Sequence, residues 1–114
     1  MKLLSLVLAV VLSGCAFVMP KPHDPVMFGS LVDVKMVVNM VQCGNVEYWG
    51  VADLQIEKLK LYSQMRKDPQ ATNIEQLQVA MKKAGESKNK LFCESLVKIN
   101  KTRIEVISDA WSGR

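Results

Sequence analysis

The residues of this 114-residue chain able to do covalent or acid–base chemistry are few: three cysteines, Cys15, Cys43 and Cys93, and one histidine, His23. Nucleophilic or metal-assisted catalysis needs several such groups converging on rigid elements: a base beside a nucleophile, or a Cys/His set at ligand spacing. His23, alone between Pro22 and Asp24-Pro25, offers neither and reads as solvated. No glycine-rich phosphate loop accompanies it. The residue inventory points away from an enzyme, a small-molecule substrate, a metal or a dissociable cofactor, and toward thiol chemistry and surface contacts.

Among the thiols, Cys15 has the most specific surroundings. Lys2 precedes the run Leu3–Leu12, apolar but for Ser5, and Leu12-Ser13-Gly14-Cys15 closes it. Ten residues of helix span about 15 Å against a hydrocarbon core of about 30 Å, so the stretch reads as a secretory signal and not as a membrane span. The small-residue pair directly before a cysteine resembles the lipobox of bacterial lipoproteins. That resemblance implies that residues 1–14 are a cleaved signal peptide and that Cys15 opens the mature protein, carrying diacylglycerol and an N-acyl chain such as palmitate. Residue 16 is Ala rather than the Asp that favours inner-membrane retention in enteric lipoproteins. The resemblance then implies a lipid anchor in the outer membrane, facing the periplasm.

Removing residues 1–14 leaves 100 residues, enough for one small domain whose own core is marginal. With Cys15 acylated, Cys43 and Cys93 remain, an even count in an oxidising compartment, and a disulfide between them is expected. Closing so long a loop contributes roughly 4 kcal/mol in the chain-entropy account. Without Lys2 the chain holds 14 basic against 11 acidic residues, a net +3. This mild charge permits contact with anionic headgroups, and no aromatic-basic interleaving marks a nucleic-acid site.

Three elements are expected to position these groups. Residues 15–24, with prolines at 20 and 22, form an extended tether reaching about 30 Å, and the domain occupies 25–114. Asp24-Pro25 reads as an N-cap followed by proline at the first helical position, opening a helix from Pro25 to Cys43. Val32, Val34, Met36, Val38 and Met40 also alternate as a strand would, but no second strand-like run exists to pair with them. Gly44-Asn45 stops this helix. A second spans 46–67, with Asp53, Glu57, Lys60, Gln64 and Lys67 on a polar face opposite Trp49, Ala52, Ile56, Leu59 and Tyr62. After Asp68-Pro69, Thr72 and Glu75 have the spacing of a capping box for a third helix carrying Ile74, Leu77, Met81 and Ala84 inward.

Gly85 either ends that helix or is tolerated inside it. Segments 25–43, 46–67 and 73–93 measure roughly 28, 33 and 31 Å, which brings Cys43 and Cys93 to one level if the third helix runs on. A turn at Gly85 would leave the two cysteines on the order of 20 Å apart. The expected fold is therefore all-α: a small antiparallel bundle of three helices, the last long and continuing to about Asp109, stapled by one disulfide.

Two surface features suggest partners. Lys82, Lys83, Lys88, Lys90, Lys98, Lys101 and Arg103 gather cations in one third of the mature chain. They read as a solvated face laced with i,i+4 pairs or as a contact for anionic headgroups or an acidic partner. Ile104, Ile107 and Trp111 share one stripe, which binds a partner if the C-terminal arm projects, or is core if the arm folds back on the first helix. Ile99, Val106 and Ala110 accompany them, and Asn100-Lys101-Thr102 matches a glycosylation sequon by chance. The expected function is a non-catalytic interaction module for another envelope protein. In layout, one cysteine ending the first helix and one in the last, the chain resembles the pilotins that escort secretins; phage- or plasmid-encoded exclusion and spanin-type lipoproteins are the other expectations.

Overall fold

The structure is a computed structural model that describes residues 22–113; the expected signal peptide, Cys15 and the tether up to residue 21 lie outside the described residues. Those described form four α-helices: α1 Pro25–Met40, α2 Trp49–Met65, α3 Ala71–Glu86 and α4 Lys90–Ser112, with no strand among them. Each helix packs against two others, α1 on α2, α2 on α3, α3 on α4 and α4 on α1, which closes a ring around one core. Short connections at 41–48, 66–70 and 87–89 make neighbours antiparallel.

The buried positions explain the ring. The inner seam falls at 27, 31, 34, 38 and 41 in and just after α1, at 52, 56, 59 and 63 in α2, at 74, 77, 81 and 84 in α3, and at 93, 97, 100, 104, 107 and 111 in α4, with Val37 and Gln78 buried beside it. Spacings of three and four alternate throughout, the seam that lets side chains of one helix fill holes on the next. In α1 this packing overrides the poor helix propensity of five valines, which made the segment strand-like in isolation. Asp24 caps α1 as expected, its Oδ1 accepting from the Val26 and Met27 amides, with Pro25 in the first turn.

The expectation of three helices is corrected to four. Gly85 lies inside α3, and the chain turns at Ser87-Lys88-Asn89, where the Asn89 side chain caps α4 by accepting from the Phe92 amide. The disulfide survives this change because Cys93 sits one turn into α4, still at the end where α1 finishes. Cys43 and Cys93 are bonded, their Cα atoms 5.9 Å apart. Thr72 and Glu75 form no capping box: α3 begins at Ala71, ahead of Thr72, and Asp68 instead accepts from the Gln70 amide.

The fold-back arrangement of the C-terminal arm is the one observed. Ile104, Ile107 and Trp111 are at most 1% exposed, so the expected partner stripe is core. The Trp111 indole N–H donates to the Asp68 carboxylate inside the bundle, tying the last turn of α4 to the α2–α3 connection. Ile99 and Val106 lie on the opposite side of α4 and are about half exposed. Asn100 is fully buried, so the side-chain amide of its sequon is not presented to solvent.

Candidate interaction surface

The polar positions expected to face water on α2 mostly face α3. Lys60 donates to the Gln78 side chain at 2.8 Å and pairs with Glu57 at 2.9 Å, Gln78 in turn donates to Glu57, and Lys82 approaches Asp53 at 3.9 Å. Hydrogen bonds from Lys60 and then Gln78 hold the Glu57 carboxyl below its usual range. With its polar stripe turned to a neighbour, α2 shows solvent a different one: Val51, Leu54, Lys58, Leu61 and Met65, all exposed and spaced three, four, three and four.

An equivalent stripe runs along α1. Val26, Gly29, Asp33, Met36 and Met40 repeat the same spacing and are all exposed, with Val32 beside them. Helical geometry turns both stripes outward and toward each other, since Lys35 and Asn39 border α4 on the far side of α1 and Asp53 and Glu57 border α3 on the far side of α2. The result is one apolar, methionine-bearing face about 24 Å long, built on two helices. Each helix places a single charge at the middle of its stripe, Asp33 on α1 and Lys58 on α2. Neither has an ion-pair partner among the described residues.

At the end where α1 begins, Asp24 joins the two helices. Its Oδ2 accepts from the Tyr62 hydroxyl at 2.9 Å and lies 3.3 Å from Arg66 Nε. The Met27 amide, assisted by Tyr62 and Arg66 against the cost of burial, holds the Asp24 carboxyl below its usual range. The same hydrogen bond, with burial, pushes the Tyr62 phenol upward. His23 is exposed, its ring 5.8 Å from that of Phe28.

The expected cationic surface is divided. Lys82 turns to Asp53 on α2, and Lys83 and Arg103 line the α3/α4 groove. Lys90, Lys98 and Lys101 line a groove of about 510 Å³ between the α1 terminus and α4, beside the disulfide. Glu94 shares that groove and lies 3.9 Å from Lys90. Three faces therefore share six of the seven cations, and Lys88 lies on the α3–α4 connection. Among the described residues no cluster of three His, Cys, Asp or Glu side chains could hold a metal, and no helix is long and apolar enough to cross a membrane.

No family model, curated protein or solved structure matches this chain.

From sequence the first helix reads as apolar nearly all round, but the α1/α2 face was missed because α2 was assigned a single apolar side. The signal was present in the spacing of Val51, Leu54, Leu61 and Met65, which the inward stripe Ala52, Ile56 and Leu59 does not use.

Proposed function

We propose that the protein is a lipid-anchored periplasmic lipoprotein of the outer membrane that acts as a non-catalytic protein-interaction module. The observation that carries the reading is the outward seam on α1 and α2: the four-helix core is closed without it, yet it repeats the knob spacing of the inner seams. Exposed apolar area of that extent and order is the usual mark of a docking surface. The address is supported by Leu12-Ser13-Gly14-Cys15, whose cysteine would carry the acyl chains. A tether of about 30 Å then keeps the Asp24 end of the bundle toward the membrane and the disulfide end away from it.

The test has two arms. Cys15→Ser should abolish palmitate labelling and signal cleavage; normal labelling and processing of that variant would end the anchored reading. Leu54→Glu together with Met36→Glu should leave thermal unfolding nearly unchanged while removing partner crosslinking in intact cells. Retained crosslinking would show that the face is not the docking surface.

The pilotin-like role is a second reading, favoured by one observation: the disulfide joins the segment directly after α1 to the last helix. A role of that kind requires an outer-membrane complex that fails to assemble when this chain is deleted.

A further inference from the structure

We propose that the α1/α2 face is covered by a second copy of this chain, related by a two-fold axis parallel to the helices. The proposal deepens the protein-interaction reading of that face and rests on it.

Charge placement selects the occupant. Level by level along antiparallel helices, Val26, Gly29, Asp33, Met36 and Met40 stand against Met65, Leu61, Lys58, Leu54 and Val51, with a charge third in each and the signs opposite. A charged residue at a core position of a helical seam weakens association unless it is answered, and it then fixes register. Asp33 and Lys58 are also level. Each lies about 10–12 Å from the Asp24 end of its helix, a difference well within the reach of a lysine side chain. The face is thus complementary to itself.

The orientation follows from the same two residues. An axis parallel to the helices sets α1 of one copy against α2 of the other, so Asp33 meets Lys58 twice and the helices in contact run antiparallel. An axis in the face but across the helices sets α1 against α1, which opposes Asp33 to Asp33 and Lys58 to Lys58. The parallel axis also leaves both Asp24 ends on the same side of the dimer. Two chains anchored in one membrane require that arrangement.

The area suffices. The eight large apolar side chains of the face, Val32 included, expose on the order of 900 Å² together, close to the ~800 Å² per partner of a standard interface. Most are half exposed or more, and Met65, the most exposed of the eight at 85%, stands at the rim. Gly29 has open space where a side chain would be and supplies a hole at the level of the other copy's Leu61.

The experiment uses the full chain in its native membranes. A carbodiimide, which joins a carboxylate to an amine only in contact, should give a covalent dimer whose crosslinked peptides contain Asp33 and Lys58. Read through a photo-crosslinking residue in place of Leu61, which needs neither group, Asp33→Lys alone and Lys58→Asp alone should each lower the dimer yield by about tenfold or more, since each sets two like-charged pairs in the face. The double variant Asp33→Lys with Lys58→Asp should restore it. A chain that stays monomeric while Asp33 and Lys58 crosslink to a different protein overturns the second copy and leaves the docking face standing. A chain that crosslinks to nothing, and whose Leu54→Glu variant behaves as the wild type, overturns both. A dimer linked through other residues, with neither single reversal affecting it, overturns the proposed register.

Discussion

The indole of Trp49 lies over Gly85 so closely that a Cβ there would come within 2.9 Å of ring atom Cε3 and 3.2 Å of Cδ2. The ring is held in place, its N–H donating to the carbonyls of Asn45 at 2.8 Å and Gln42 at 3.1 Å. Gly85 is therefore a seat in α3 for a side chain from α2, and the α1–α2 connection hangs on that ring. Alanine would improve helix propensity by about 1 kcal/mol, while forcing a methyl group against the held ring costs about 1–3 kcal/mol. Gly85→Ala should lower the melting temperature and disturb tryptophan fluorescence. A raised melting temperature would mean that the indole shifts freely and that the seat is incidental.

Removing the disulfide should destabilise the domain without changing its topology. The bond spans a sequence separation of 50, and closing a loop of that length is worth about 4 kcal/mol in the chain-entropy account. The double variant Cys43→Ser, Cys93→Ser should unfold at a markedly lower urea midpoint with an unchanged helical circular-dichroism signal before the transition. An unchanged midpoint would place the stability of this end in the Trp49–Gly85 contact instead.

Trp111→Ala removes the largest fully buried side chain and should cost roughly 3–5 kcal/mol. Trp111→Phe retains most of the volume but loses the donor to Asp68, and should fall between wild type and alanine. Urea denaturation of the three proteins checks the order. An alanine variant as stable as wild type would contradict the buried position of this side chain.

Asp24 sets an acid limit. Its carboxyl is held down chiefly by the Met27 amide, with Tyr62 and Arg66 assisting, so its folded pKa lies below the unfolded value of about 3.9. A depressed pKa contributes stability that is complete above the unfolded value and lost as pH falls through the folded one, and Glu57 adds to the same side. Tyr62 acts with the opposite sign: its raised pKa favours folding below about pH 10, and that contribution goes as pH climbs through the folded value. Asp24→Ala should cost about 1–2 kcal/mol at neutral pH, as lost helix caps do. The gap from wild type should narrow below about pH 3. A gap of constant size would show that the ionised carboxylate is not what Asp24 contributes.

Local signals in the sequence carried the all-helical class, the Asp24-Pro25 start and the inward stripe of α2, because each depends on residues within a turn or two of one another. The pairing of Cys43 with Cys93 was legible for another reason, an even count of thiols once Cys15 is set aside. The break before α4 was hidden by Gly85, the strongest local punctuator, whose reason for being there is a ring 36 residues earlier in the chain. The true signal, Asn89 as a cap after Ser87, is weaker and was outweighed. The level matching of the cysteines did not require a continuous helix, only that Cys93 lie near the α1 terminus. Trp111 was ambiguous because a stripe of apolar residues looks the same whether it meets a partner or a fourth side of the same bundle.

The positions of Asp24 and the disulfide decide how the domain carries load. A pull applied at Asp24 reaches α1, where Tyr62 and Arg66 share it with α2, and at the far end of α1 the Cys43–Cys93 bond passes it into α4. Once those side-chain contacts give way, tension applied between residue 24 and residue 113 has no covalent route through the segment between the cysteines, whose sequence separation is 50. Complete extension of the oxidised chain would release about 40 residues, near 140 Å at 3.6 Å each, whereas the reduced chain would release about 90 residues and more than twice that length. In a force-extension trace the oxidation state of one bond would set the length over which this domain can yield.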